Sequence, residues 1–158
     1  MIKEIVKNRD KIFVIEWHKT KDFSKIKPIT QVYGVCFNDK GKVLIVKPGK
    51  EWGLPGGTPE KGEDFEETLK REALEEGDVE IYDLRPLGYQ KVWITKNKAI
   101  YQLRYFARIS KVKKQTIDPA TRKVNKRKFI QPKEFLKYCP WGKIGKEIVR
   151  LAVREYES

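Results

Sequence analysis

The stretch that decides the reading of this chain is Gly57–Val79, GTPEKGEDFEETLKREALEEGDV. It follows a rigid, glycine-rich loop, Trp52-Gly53-Leu54-Pro55-Gly56-Gly57, and turns helical from Asp64 to Glu76, with Gly77 as a stop signal. With Phe65 set at zero and about 100° per residue, Leu69 falls at about 40° and Ala73 at about 80°, which marks the apolar face. On the same wheel Glu72 falls at about 340°, Glu75 at about 280° and Glu76 at about 20°. Three carboxylates therefore share the side that carries Phe65 and Leu69, whereas a solvated acidic face would sit opposite the core. Carboxylates crowded beside a core repel one another and lose hydration, so a positive charge must compensate. Arg71, at about 240°, is expected to reach only one edge of this arc. Hard divalent cations supply the rest, because carboxylate and carbonyl oxygens suit Mg²⁺ or Mn²⁺ and the i, i+3, i+4 spacing lets all three side chains converge. A Glu-rich surface helix is the competing reading of the charge run alone.

The residues upstream separate the two. Gly57, Glu63, Arg71-Glu72-Ala73 and Glu75-Glu76 fit the pattern G-x5-E-x7-R-E-U-x-E-E, with U apolar, and so resemble the box of the Nudix hydrolases. Trp52-Gly53-Leu54-Pro55-Gly56 resembles the stretch that leads into that box. One departure is visible: the family ends its box E-E-x-G-U, whereas this chain reads Glu75-Glu76-Gly77-Asp78-Val79, with glycine one place early. Either Asp78 takes the left-handed conformation that glycine usually supplies, or the helix stops one residue sooner.

Outward from the box, the pattern is mixed α/β. Strands are expected over Lys11–Trp17, within Leu87–Thr95 and Ala99–Ile109, and as a hairpin of Gln31–Phe37 and Lys42–Lys47 about the turn Asn38-Asp39-Lys40-Gly41. Ser110–Lys128 reads as a basic arm broken by a turn at Asp118-Pro119-Ala120-Thr121, with a short strand at Phe129-Ile130. Short and amphipathic helices are expected over Pro132–Lys137 and Lys143–Tyr156. The fold class is α/β, and the resemblance implies a Nudix-type α/β/α sandwich with a mixed central sheet. We find no repeat or linker, so residues 1–158 read as one domain.

The chain has 158 residues and a formal net charge of +13, enough length for one core. The excess is uneven: residues 51–86 hold 4 basic and 12 acidic side chains, residues 104–137 hold 12 and 2. An acidic island inside a basic chain suits a protein that gathers polyanions, although Lys- and Glu-rich composition accounts for the overall excess equally well. Apolar runs are too short for a bilayer, and MIKEIVKNRDK lacks the apolar core of a signal peptide. Cys36, Cys139 and the single His18 complete neither a disulfide framework nor a zinc site. A soluble, cytoplasmic protein is expected, without membrane attachment.

The resemblance implies hydrolysis of a nucleoside diphosphate linked to another moiety, such as a non-standard nucleoside triphosphate, by water attacking phosphorus. RNA 5′ ends and dinucleoside polyphosphates are the alternatives within that class. It implies Mg²⁺ or Mn²⁺ held by Glu72, Glu75, Glu76 and the Gly56 carbonyl, with Glu72 also the best candidate for general base. Glu63 and Arg71 are expected as catalytic supports, Arg71 holding the loop–helix junction; for Glu63 a simple N-terminal cap is the alternative. Gly56 and Gly57 form the motif loop. Trp93 and Tyr101 are candidate substrate-stacking residues, beside Trp52, Tyr89 and Tyr105, although aromatic residues in strands are also core. Asp118 and Glu134 are the acids outside the box that could add a carboxylate; the first reads as a turn residue and the second as a cap. Expected partners are a nucleotide or other nucleoside diphosphate derivative, RNA, and a second copy of the chain. A non-catalytic module holding nucleic acid through Arg122, Lys123, Lys126, Arg127 and Lys128 is the competing function.

Overall fold

Alternation along the strands builds the architecture. In Ile29–Phe37 (β3), Val32 and Cys36 face one side while Val35 and Phe37 face the other; in Val43–Lys47 (β4), Leu44 and Val46 oppose Val43 and Ile45. Such two-sided burial requires a cover on each face of the sheet. One cover is the helix Phe65–Gly77 (α1), through Leu69 and Ala73. The other is Gly142–Glu157 (α3), through Ile144, Ile148, Leu151 and Ala152, with the short helix Phe135–Tyr138 (α2) beside it. The computed structural model describes residues 1–158, apart from the side chains of Asn8 and Thr30.

The remaining strands are Ile2–Asn8 (β1), Lys11–Lys19 (β2), Gly56–Gly57 (β5), Val79–Thr95 (β6), Lys98–Val112 (β7) and Lys126–Ile130 (β8). They form one sheet in the order β1-β2-β6-β7-β3-β4-β8, with β5 on β3. The β3–β7 pairing is parallel and the other strand pairs are antiparallel, so the sheet is mixed and the α/β/α layering is as expected. A 3₁₀ turn at Pro132–Glu134 precedes α2.

Three differences from the sequence reading bear on the site. Ile2–Asn8 is a strand, paired with β2 from Ile2↔Trp17 to Asn8↔Lys11. Its alternation of Ile and Val with charged residues is that of an edge strand. The expected hairpin of Gln31–Phe37 with Lys42–Lys47 keeps its turn, where Asn38 Oδ1 accepts from the N–H groups of Lys40 and Lys42. Its ladder, however, is one pair long, Phe37↔Val43. The glycine-rich loop is inserted between the strands: Val46 and Gly53 exchange backbone hydrogen bonds of 2.9 and 2.8 Å, Gly34 N–H donates to Pro55 O at 3.0 Å, and β5 pairs at Val32↔Gly57 and Tyr33↔Gly56. Finally, α1 includes Gly77, where a Cβ would lie 2.8 Å from Leu44 Cδ2. Gly77 is there for close packing on the sheet, and Asp78 takes the left-handed turn at φ 52°.

Candidate active site

The wedge loop and α1 meet at Gly56-Gly57. Gly56 N–H donates to Glu76 Oε1 at 2.9 Å. A Cβ on Gly57 would lie 2.5 Å from Glu72 Oε1, so only glycine leaves room for that carboxylate. Helix α1 is aimed from both ends. At its start Asp64 is the N-cap, accepting from Glu67 N–H at 2.8 Å while Glu67 Oε1 accepts from Asp64 N–H at 3.3 Å, a reciprocal capping box. At its end the Asp78 carboxylate accepts from Thr116 N–H at 3.0 Å and Thr116 Oγ1 at 2.8 Å. Arg127 Nη1 donates to Gly77 O at 2.9 Å, supplying from β8 the positive charge that the last turn of α1 lacks.

Arg71 occupies a larger place than its wheel angle suggests. Its Nε and Nη2 donate to Glu63 at 2.7 and 3.1 Å, Nη1 donates to Glu72 Oε1 at 2.9 Å and Glu75 Oε2 at 3.3 Å, and Nη2 also reaches Thr58 O at 3.1 Å. A long, forked side chain spans two edges that a projected angle separates. Glu63 is thus not the helix cap, which is Asp64. It is a counter-charge for Arg71 and accepts as well from Thr68 Oγ1 at 3.0 Å and Glu60 N–H at 2.8 Å. The Arg71 hydrogen bonds hold the Glu63 carboxyl well below the usual range, at about 2.

Glu72 and Glu76 are shifted the other way. Burial raises Glu72, with Arg71 opposing. Burial pushes Glu76 up to about 8 against the Gly56 N–H, and the charges of Glu72 and Asp118 push in the same direction as burial. Arg71 reaches the Glu72 carboxyl, and its described hydrogen bonds include none to Glu76. Two half-buried oxygen donors, short of positive charge and set beside a glycine turn, are a chemical fit for a hard divalent cation. Glu75 is drawn aside by Arg71, and among the described residues no three His, Cys, Asp or Glu side chains are arranged as a metal-binding group.

Gly56 and Glu76 also line a cavity of about 570 Å³, together with Tyr33, Trp52, Arg104 and Trp141. Trp93 and Tyr101 do not line it. They share the opposite sheet face, because Tyr101 pairs with Lys91 while its neighbour Gln102 pairs with the cavity-lining Gln90. There Trp93 Nε1 donates to Glu16 at 2.9 Å and carries Lys91 over its ring, and Tyr101 packs near Tyr89. Tyr105 is core on that face as well. Asp118 is a buried turn residue, accepting from Ala120 N–H and Asn125 Nδ2, both at 2.8 Å. Glu134 caps its 3₁₀ turn through Gln131 N–H at 3.2 Å. Sequence reasoning missed Arg104 and Trp141. For Arg104 a signal exists, since it shares strand parity with the core residue Phe106.

A glycine wedge that packs against a capped helix bearing Arg71, Glu72, Glu75 and Glu76, on a mixed α/β/α sandwich, defines a phosphoanhydride hydrolase of the Nudix class. Residues 27–151 match the NUDIX domain, and the chain belongs to that family. It is thereby classed with pyrophosphohydrolases that act on phosphoanhydride bonds, enzymes that generally use divalent metal ions. Among solved structures it is similar to a point mutant of the Bacillus subtilis pyrophosphohydrolase BsRppH, with a TM-score of 0.70, 23% identity, and 98% of this chain and 96% of that one covered. It is also similar to a MutT from a study of Aliivibrio salmonicida and Vibrio cholerae (TM-score 0.57, 19% identity, 82% and 98% covered) and to the Ap4A hydrolase of C. elegans (TM-score 0.56, 16% identity, 82% and 98% covered). No curated protein sequence matches it. Among the described residues no helix is long and apolar enough to cross a membrane.

Proposed function

We propose that this chain, acting as one domain, hydrolyses the pyrophosphate linkage of a nucleoside diphosphate derivative, for example a non-standard nucleoside triphosphate, with Mg²⁺ or Mn²⁺. The observation that carries the reading is the Glu72–Glu76 carboxyl pair, half-buried and under-compensated against Gly56-Gly57. A bound divalent cation would neutralise the pyrophosphate and lower the pKa of attacking water. Glu72, Glu76 and the Gly56 carbonyl are the groups that would hold it, with Glu75 joining them on release from Arg71. Glu72 is the best-placed general base. Arg71 holds Glu72 in position and ties it to Glu63 and to the Thr58 carbonyl of the motif loop. Both metal-binding carboxyls must be ionised in this reading, so cation uptake displaces the proton that burial keeps on Glu76.

One observation favours a longer polyanion, such as an RNA 5′ end. Lys113 and Lys114 line a cleft with Glu75 and Thr116, which places positive charge next to the carboxylate helix. A purely nucleic-acid-binding module is less well supported, since Arg127, one of its five basic groups, is directed inward onto Gly77 O and Lys113 O.

The test is release of phosphate or nucleotide from a panel of nucleoside diphosphate derivatives and 5′-triphosphorylated RNA, with and without Mg²⁺. Metal-dependent turnover that Glu72→Gln abolishes is expected. No turnover on any substrate, or full activity in Glu72→Gln, refutes it.

A further inference from the structure

Arg104 is buried, 4% exposed, in the wall of the cavity that Gly56 and Glu76 also line. Its Nη1 donates to Leu103 O at 3.3 Å and its Nη2 to Gln90 Oε1 at 3.0 Å, while Nε has no partner. Each terminal nitrogen carries two N–H groups, so the fork keeps donors that these bonds do not use. The described ion pairs include none to Arg104. A buried guanidinium without a carboxylate and with idle donors is costly, and the ring contacts around it return that cost only in part. Its plane is nonetheless held in place: Cζ stands 4.7 Å from the Tyr33 ring centroid and 5.9 Å from that of Trp141. Gln90, its orienting acceptor, is fixed by its register with Gln102, whose Nε2 in turn donates to Gln31 at 2.7 Å.

Two ligand chemistries match a donor-only fork, a phosphate and the acceptor edge of a planar base. The cavity walls decide between them. Glu4 and Glu51 face the same space, and among the described lining residues Arg104 is the one cation. A second anion is therefore repelled from it unless a metal intervenes. Trp52, Trp141 and Tyr33 also line it, and aromatic side chains suit a flat, neutral ring.

We infer that this cavity receives the base of the substrate and that Arg104 reads it, selecting a 6-oxopurine over adenine. This rests on the reading that the substrate is a nucleotide. Guanine and hypoxanthine present two acceptors, O6 and N7, to a fork of donors; adenine presents the N6 amino donor beside N7, so one donor of the fork meets another. The amide of Gln90 orients the fork, and the aromatic side chains flank the ring. The preference expected from one such bidentate contact is roughly tenfold to a hundredfold.

The experiment is a tryptophan-fluorescence titration of the full-length, metal-free protein with guanosine, inosine and adenosine, repeated with inorganic pyrophosphate. It is paired with kcat/KM for GTP and ATP in Mg²⁺. Guanosine and inosine are expected to bind at least tenfold more tightly than adenosine, pyrophosphate is expected not to displace them, and the kinetic ratio is expected to favour GTP. Arg104→Gln should bring both ratios close to one. Should that variant not fold, the wild-type ratios alone decide. Guanosine binding no tighter than adenosine, displacement by pyrophosphate, or an unchanged ratio in folded Arg104→Gln overturns the inference. Selective guanosine binding with no turnover of any substrate in the full panel leaves the base site standing and removes the hydrolase reading; turnover blind to the base does the reverse.

Discussion

Gly57 and Glu72 are matched to each other: the space that a Cβ would take on the first is filled by the carboxylate of the second, with Oε1 at 2.5 Å from that position. Gly57 has no positive φ that would exclude an L side chain, so Gly57→Ala should fold and displace Glu72. A catalytic group moved by about 1 Å can lose on the order of a hundredfold in rate. The expected result is a drop in kcat/KM of that order with little change in thermal midpoint, measured on the best substrate of the panel.

Glu76 sets a pH dependence for the metal-free protein. Its folded-state pKa of about 8 lies above the ordinary 4.5, so between those values the folded chain binds more protons than the unfolded one. Stability contributed by the protonated carboxyl is therefore complete below pH 4.5 and is lost as pH rises through 8. Denaturant unfolding in EDTA should show this decline, and Glu76→Gln should flatten it. Titration with Mg²⁺ near pH 7 should release protons from the wild type and not from the variant.

Glu63 behaves in the opposite sense. Arg71 depresses its pKa to about 2, so its contribution is present above pH 4.5 and is lost as pH falls through 2. Glu63→Gln should remove that part of the acid limb of the unfolding curve. Arg71→Lys, which cannot reproduce the fork to Glu63, Glu72 and Thr58, should lower kcat/KM by roughly tenfold or more.

Asp78 combines a left-handed backbone with two hydrogen bonds to Thr116. Asp78→Ala loses both bonds and keeps the strained conformation, at a cost of about 2–3 kcal/mol. Asp78→Gly should cost less, because the conformation is then free of strain. Equal destabilisation by the two, read from chemical unfolding, would refute this division.

What the sequence makes legible is largely what is local. The 3.6-residue period and the spacing from Gly57 to Glu76 place α1 and its carboxylates, because both are properties of one short segment. The same holds for α3, whose Ile144, Ile148, Leu151 and Ala152 are buried at the expected spacing. Long-range pairing is not legible in the same way. Nothing near Gln31–Phe37 announces that Gly56-Gly57 will take its edge, so the hairpin ladder is shorter than local alternation implies. Trp93 and Tyr101 lie in an unbroken stretch of the β6–β7 ladder, so alternation puts them on one face, but which face lines the cavity is set by distant segments such as Trp52 and Trp141. For Arg104 burial is legible from its parity with Phe106, but its ring partners Tyr33 and Trp141 arrive from two distant segments.

The hold of Arg127 on the last carbonyl of α1 has a consequence for transplanting the box. Residues 57–79 carry the carboxylates of the box, but the clamp on their far end comes from a strand 50 positions downstream. Grafted alone into a foreign scaffold, the segment would bring its carboxylates without the anchor that orients them, and an engineer would have to import the closing strand along with the motif.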